Sequence, residues 1–184
     1  MKKKNGQISI QHYSDYLRFA LLYKYGGLWV DATVLISKSL CILSMTNFIS
    51  VRNHDLHYVP NNGAWQIYFI GGGKENILFG FIRDLLDAYW RKENDVIDYF
   101  FTDYVVNIAY SSFPSVRKMI DSLPPITSNY DVHSLLFNFN KPFDYAIYNA
   151  IIKEVNVHKL TYRGTLNELV GNKLSFYGWL LRYL

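Results

Sequence analysis

The stretch SDYLRFALLYKYGGLWVDAT, residues 14–33, decides the fold. Ser14 is a typical N-cap, and Asp15 would follow in the first helical turn, where a carboxylate meets the positive end of the helix dipole. The pair of glycines predicts the end of this helix. Residues 28–30 are wholly apolar, which predicts a short strand covered on both faces. The stretch therefore predicts a helix, a glycine stop and a strand with Asp31 at its end.

Strand and helix patterns alternate along the rest of the chain. We expect further strands at 33–36, 48–51, 65–70 and 157–162 and further helices at 76–92 and 95–110. Pro142 is expected to open a short helix that holds residues 145–154. Three prolines between 114 and 125 predict a looser region. The alternation predicts an α/β domain with a largely parallel or mixed sheet. A chain of 184 residues is long enough for one such domain with a core.

Composition and charge narrow the functional class. Half of the residues are hydrophobic, which indicates a globular chain, and the net charge of +4 comes from scattered basic residues. A net charge this small does not indicate that the protein binds nucleic acid. It is compatible with an anionic substrate or an anionic membrane surface. Cys41 is the single cysteine, so no internal disulfide can form, as is usual in a reducing compartment. We expect a cytoplasmic protein, at most peripheral to a membrane.

The charged residues of the opening stretch are the first candidates for chemistry. In open α/β sheets the ligand binds beyond the carboxyl ends of the strands, where Asp31 is expected. Its carboxylate could bind ribose or sugar hydroxyls, or help to hold a divalent ion on a diphosphate. Asp15 and Arg18 are three residues apart and share a helix face. By spacing alone, this pair fits a surface ion pair as well as a binding site.

The same residues resemble a known family. The pattern Ser14-Asp15-x-x-Arg18 and the block LYKYGGLWVDAT at 22–33 resemble the core of bacterial capsular polysaccharide synthesis proteins. These are grouped with glycosyltransferases that carry an Asp-x-Asp (DXD) sugar-binding motif, which include mannosyltransferases and, more distantly, glucosylating clostridial toxins. Residues 98–110 resemble the family's second helix and residues 158–162 its C-terminal segment. The resemblance therefore covers most of the chain.

The resemblance implies a fold and an activity. It implies a Rossmann-like fold of the glycosyltransferase A type over residues 1–184, with a donor-site unit at 10–36 and a helical acceptor-side region at 75–155. The implied reaction moves a sugar from a nucleotide-diphosphate sugar to a growing surface or capsular polysaccharide. The implied acceptors include lipid-linked glycans, which places the reaction at the inner face of the plasma membrane.

The resemblance also assigns donor-binding residues. Ser14, Asp15 and Arg18 would contact the ribose and the sugar or phosphate of the donor. Asp31 would be the first acid of the Asp-x-Asp motif, and Thr33 stands where the second acid would be. We expect both to contact the donor.

A divalent cation, Mn²⁺ or Mg²⁺, would accompany such a donor. Asp31 would be one of its ligands, whereas the hydroxyl of Thr33 brings no charge, so the affinity for the ion should fall. His158 is the candidate that would complete the metal site. A histidine that ends a strand near the surface is an equally good interpretation of His158.

Other charged side chains could support the transfer itself. Arg18 and Lys159 could each offset the negative charge that develops on the departing diphosphate. If the reaction inverts the anomeric centre, a base is required, and Asp103 is the candidate. A retaining reaction would need no such base. The competing interpretation of Asp103 is a structural acid that only makes hydrogen bonds.

Two features favour a different function. Members of the resembled family normally have a β-α segment before the Ser-Asp-x-x-Arg helix, and this sequence shows none, which would fit a truncated fragment. The missing second acid at Thr33 would fit a pseudoenzyme. The alternative is therefore a non-catalytic fragment or pseudoenzyme of that family. A carbohydrate-binding module fits poorly, because the motif residues are charged rather than aromatic.

Overall fold

A computed structural model describes residues 10–39, 48–54 and 60–183 and shows a mixed helix and strand fold, as predicted. These residues form two compact units. Unit 1 takes its residues from 10–30, 48–54 and 60–124, and unit 2 from 31–39 and 125–183. The boundary falls inside the opening stretch, between Val30 and Asp31. The prediction of one glycosyltransferase-like domain stays a prediction.

Helices and short strands alternate along both units. The helices are α1 (Ile10–Tyr25), α2 (Ile77–Lys92), α3 (Phe101–Ser112), α4 (Pro114–Asp121), α5 (Tyr145–Glu154) and α6 (Phe176–Tyr183). The strands are β1 (Gly27–Val30), β2 (Val34–Ile36), β3 (Phe48–Ser50), β4 (Phe69–Gly72), β5 (Val157–Lys159), β6 (Leu169–Val170) and β7 (Lys173–Leu174).

The start of α1 differs from the prediction. The helix begins at Ile10, so Ser14 is not its N-cap and Asp15 is not in its first turn. The reason is tertiary packing, which stabilises helices more than local capping signals do. Phe19 and Leu22 of α1 are buried in the core of unit 1, and α1 packs along α2.

The predicted glycine stop is confirmed. Gly26 has a left-handed backbone, with φ of +69°, and its N–H donates to the carbonyl of Leu22 at 2.8 Å. This conformation satisfies a helix-end carbonyl at low cost only when the residue lacks a Cβ.

The sheet of unit 1 is antiparallel. Its strand order is β1-β4-β3, and all strand pairs among the described residues of both units are antiparallel. The predicted parallel or mixed sheet is therefore wrong for these strands. The strand β1 lies at an edge of the described sheet and is partly exposed rather than covered on both faces. A run of three apolar residues carries too little periodicity to distinguish these cases.

Of the helices that follow α1 in unit 1, the prediction is right for the start of α2, too early for the start of α3 and silent on α4. The start of α2 is confirmed, because the side chain of Asn76 accepts from the N–H of Leu78 as an N-cap. The start of α3 lies later than predicted, because Asp98 forms a turn by accepting from the N–H of Phe100. The helix α4 was missed, since Pro114 is tolerated at a first helical position. The core includes Phe19, Leu22, Ile70, Leu78, Phe79, Ile82, Val105, Val106, Val116 and Ile120.

Unit 2 has its own core around three helical segments. The predicted α5 is confirmed, but it begins at Tyr145 and not at Pro142, because the side chain of Asp144 accepts from the N–H groups of Ala146 and Ile147 as its N-cap. The aromatic C-terminal residues form α6, which the sequence did not predict. The pair β2–β5 and the hairpin β6–β7 complete the unit. Its buried cluster consists of Leu135, Phe139, Tyr148, Ile151, Phe176 and Leu180.

No helix within residues 10–39, 48–54 and 60–183 is both long enough and apolar enough to cross a membrane.

The close approach of β1 to β4 gives a first prediction. A Cβ on Gly71 would lie 2.4 Å from the carbonyl oxygen of Gly27 and 2.9 Å from Cα of Leu28. We expect Gly71→Ala to lower the free energy of unfolding by about 1–3 kcal/mol, because backbone atoms would have to move. The measurement is the midpoint of urea unfolding.

The control is Gly73→Ala. A Cβ on Gly73 would meet no atom within 4 Å. We expect this variant to unfold at the wild-type midpoint or slightly above it. Equal midpoints for the two variants would contradict the steric argument.

Candidate functional site

Six of the predicted site residues, all except Ser14 and His158, together with Thr102 form two polar clusters, one in each unit. In unit 1 we call Asp15, Arg18, Thr102 and Asp103 the charged cluster. In unit 2 we call Asp31, Thr33 and Lys159 the Asp31 corner. Each cluster is described within its own unit.

The ion pair of the charged cluster is largely buried. Arg18 Nη1 lies 3.2 Å from Asp15 Oδ1, and only 4% of Arg18 is exposed. The hydroxyl of Thr102 donates to Asp15 Oδ2 at 3.0 Å. The guanidinium of Arg18 lies 5.2 Å from the centre of the Trp29 ring, a cation–π distance. Because a charge this deeply buried needs partners, the surface ion pair is the wrong interpretation of these two residues.

Asp103 is buried beside this pair. Its Oδ1 accepts from Nε1 of Trp65 at 3.0 Å and from Nδ2 of Asn61 at 3.2 Å. Burial raises the pKa of Asp103 to about 6, although these two hydrogen bonds oppose the rise. The negative charge of Asp15 raises the pKa further, and the positive charge of Arg18 lowers it. The structure thus couples three predicted residues through their charges.

This pKa suits a general base that works near neutral pH. The geometry around Asp103 is equally that of a structural acid, so its catalytic role stays a prediction. Ser14 lies half-buried on α1 in the same unit, and its donor contact also stays a prediction.

Sequence reasoning missed the polar partners of the charged cluster. Thr102 and Asp15 are 87 positions apart, while Asn61 and Trp65 are 42 and 38 positions from Asp103. No local spacing links residues that meet only through tertiary packing. The polar turn that precedes Trp65 was a sequence signal that could have pointed to Asn61.

The Asp31 corner depends on the pairing of β2 with β5. Val34 lies opposite Lys159, and the N–H of Leu160 donates to the carbonyl of Thr33 at 2.8 Å. Lys159 Nζ then lies 3.5 Å from Asp31 Oδ2 and donates to the hydroxyl of Thr33. The side chains of Lys159 and Asp31 are 22% and 30% exposed, so a solute can reach them.

Val132 and His133 lie in a turn that bonds to Lys159 of this corner. The N–H of Lys159 donates to the carbonyl of Val132 at 2.7 Å, and the N–H of His133 donates to Asp131 Oδ1 at 2.9 Å. Burial lowers the pKa of His133, and the charge of Lys159 lowers it further, while Asp131 opposes both effects. The lowered pKa favours the neutral form of the His133 imidazole. This placement could not be predicted from the sequence, because the turn at 131–134 is distant from β2 in the chain.

His158 has a different place. It is fully buried, its Nε2 lies 3.0 Å from the hydroxyl of Ser37, and burial lowers its pKa to about 4. The expectation of a histidine near the surface is wrong. Neighbouring residues of a strand point to opposite faces, so His158 faces away from the side on which Lys159 meets Asp31.

The described residues therefore do not fit the expected metal site. Asp31 supplies one carboxylate and is paired with Lys159, Thr33 is neutral, and His158 faces the other way. Within residues 10–39, 48–54 and 60–183, no three His, Cys, Asp or Glu side chains are grouped to hold a metal ion. The divalent cation stays a prediction from the resemblance.

Comparison with protein families adds an independent finding. A family model described as capsular polysaccharide synthesis protein matches residues 1–178. The chain belongs to this family. The match contains all the predicted site residues, from Ser14 to Lys159, and confirms the resemblance seen in the sequence. Neither a curated protein nor a solved structure matches the chain.

The ionisation of Asp103 gives the second prediction. Its pKa is about 6 in the folded protein and ordinarily 3.8, so the folded state favours the protonated carboxyl. Stability should therefore fall as pH rises from about 4 to about 6. The difference in pKa corresponds to about 3 kcal/mol. In Asp103→Asn this loss should be absent, because the amide keeps an acceptor oxygen and carries no charge.

The measurement is urea unfolding of both proteins at a series of pH values from 4 to 7. Exposed Asp95→Asn is the control and should follow the wild-type profile. If the free energy of unfolding changed with pH in the same way for the wild type and Asp103→Asn, the raised pKa assigned to Asp103 would be contradicted.

Proposed function

We propose that this family member is a glycosyltransferase that moves a sugar from a nucleotide-diphosphate sugar to a growing surface or capsular polysaccharide. Membership of the capsular polysaccharide synthesis family supports the biological role. The observation that carries the reaction is the Asp31 corner. There a carboxylate, a hydroxyl and an ammonium group meet at a partly exposed position.

Each group of the corner has a chemical task. The bond between the anomeric carbon and the diphosphate oxygen breaks, and a bond to an acceptor hydroxyl oxygen forms. The ammonium of Lys159 offsets the negative charge that grows on the leaving diphosphate. The carboxylate of Asp31 accepts hydrogen bonds from donor hydroxyls, and the hydroxyl of Thr33 can donate or accept one. The acceptor hydroxyl passes its proton to the released diphosphate or to water. The role of Asp103 as a base in an inverting reaction stays a separate prediction for unit 1.

The proposal includes no metal-dependent step. The residues at the corner do not form a cation site, and Lys159 already supplies a positive charge beside Asp31. A glycosyltransferase A type fold, lipid-linked glycan acceptors and a location at the inner face of the plasma membrane belong to the same proposal. They are inferred from the family.

The third prediction tests donor binding. We expect isothermal titration to show saturable binding of at least one sugar conjugate of uridine or guanosine diphosphate. Asp31→Asn should weaken this binding about tenfold or more, because a hydrogen bond to a charged group contributes about 1.5–3 kcal/mol. Titrations with and without Mn²⁺ measure any contribution of a cation.

Asp95→Asn is the matched control, since it removes an exposed carboxylate from unit 1. Arg18→Ala tests the donor-binding prediction for unit 1 separately, after a check that the variant remains folded. Unchanged donor affinity in folded Asp31→Asn would overturn the assignment of the corner.

The neutral Thr33 at the second acidic position favours a second candidate, a pseudoenzyme that binds the donor without transferring its sugar. Product analysis after incubation with donor and lipid-linked glycan distinguishes the two. Binding without release of nucleoside diphosphate would favour the pseudoenzyme.

A further inference from the structure

Five aromatic rings of unit 2, three near the start of α5 and two on α6, form a continuous series of ring contacts. The rings of Phe143 and Trp179 are stacked, with centres 4.4 Å apart and planes 4° apart. The ring of Tyr148 lies 4.7 Å from that of Trp179 and 6.4 Å from that of Tyr145. The ring of Tyr183 lies 5.3 Å from that of Trp179. We call these five residues the aromatic patch.

The two ends of the aromatic patch are open to solvent. Tyr145 is 63% exposed and Tyr183 is 64% exposed. Phe143 and Trp179 are half-buried, and Tyr148 is buried. Because the inner rings already pack against one another, they lose little side-chain freedom when a ligand covers the patch, which favours binding.

Exposed aliphatic side chains do not extend the aromatic patch. Leu181 lies two residues before Tyr183 on α6, and Ile147 lies two residues after Tyr145 on α5. Residues two apart on a helix do not face the same side, so both aliphatic side chains lie on other faces of their helices. A surface that inserts into a bilayer combines aliphatic side chains with an excess of basic ones. The aromatic patch lacks the first of these features.

The charges beside the two exposed rings are balanced. Asp144 precedes Tyr145 and Arg182 precedes Tyr183, so one exposed ring has an acidic neighbour and the other a basic one. Nη2 of Arg182 also lies 3.9 Å from Oε2 of Glu168. This balance does not favour an anionic partner, such as a bilayer of acidic lipids, and suits a neutral one.

Polar groups at the exposed rings can bind hydroxyls. Asp144 is exposed, and its hydrogen bonds to the N–H groups of Ala146 and Ile147 both use Oδ1. Its Oδ2 can therefore accept from a ligand, and each tyrosine hydroxyl can donate or accept. A sugar ring has hydroxyls at its edge and an apolar C–H face, so a neutral glycan matches both the polar groups and the rings.

Building on the proposed function, which identifies the glycan as the acceptor, we propose that the aromatic patch binds a stretch of neutral sugars in the growing polysaccharide. The exposed rings lie at both ends of the patch, so a chain of several sugars would cover more of it than a single sugar. No residue of the Asp31 corner belongs to the patch. The patch would therefore determine the affinity for the acceptor and leave the affinity for the donor unchanged.

The test measures glycan binding to the full chain by isothermal titration. The probes are neutral hexasaccharides of glucose, mannose and galactose, each compared with its monosaccharide. We expect saturable binding of at least one hexasaccharide and about tenfold weaker binding of its monosaccharide, which covers fewer rings. Tyr145→Ala and Tyr183→Ala should each weaken hexasaccharide binding about three- to tenfold, because each removes apolar area that the glycan would bury.

Two further variants sharpen the result. Tyr183→Phe keeps the ring and should keep most of the affinity, which separates stacking from hydrogen bonding. Tyr162→Ala is the matched control, since it removes a ring of unit 2 that is 73% exposed and lies outside the aromatic patch. It should leave hexasaccharide binding unchanged. The urea midpoint of each variant verifies that it remains folded.

The outcomes separate this inference from the proposed function. A wild type that binds none of the three hexasaccharides would overturn the inference alone, as would equal binding by the wild type and both alanine variants. Binding to vesicles of phosphatidylcholine and phosphatidylglycerol that both alanine variants lose would also overturn it, because the patch would then be a lipid surface. Hexasaccharide binding at the patch without binding of any nucleotide sugar would support the patch and overturn the proposed transfer.

Discussion

The antiparallel pairing of β2 with β5 is the constraint on which the proposed site depends. It brings Lys159 to Asp31 and Thr33, which are 128 and 126 positions away in the chain. It also ties the turn at 131–134 to the same place, because the backbone of Lys159 bonds to Val132. Three short hydrogen-bonded segments therefore fix every charged group of the Asp31 corner.

The packing of unit 1 includes the buried charge of Arg18. Asp15 pairs with the guanidinium of Arg18, which is only 4% exposed, and the Trp29 ring lies 5.2 Å from it, so both offset the cost of burying this charge. Asp103 shares the same low-dielectric surroundings, and the same burial raises its pKa to about 6. The charged cluster couples α1 to α3, so its electrostatics and the packing of unit 1 depend on each other.

Much of the local structure could be predicted from sequence, and the arrangement of strands could not. Asn76 and Gly26 act through backbone groups within four residues of themselves, so the start of α2 and the end of α1 are visible in the sequence. The antiparallel partners of β1 and β5 depend on long-range pairing, which short apolar runs do not encode. The start of α1 was misplaced because its packing against α2 outweighed the capping signal of Ser14.

The sequence by itself determined the family, the glycine stop after α1, the presence of α5 and the choice of Asp15, Arg18, Asp31 and Lys159 as candidate site residues. Each of these depends on residue type and short spacing. Only the tertiary structure decided that Arg18 is buried, that His158 faces away from Asp31 and that the turn at 131–134 bonds to the backbone of Lys159. These facts depend on which segments pack together, and burial and long-range hydrogen bonds are properties of the packed chain.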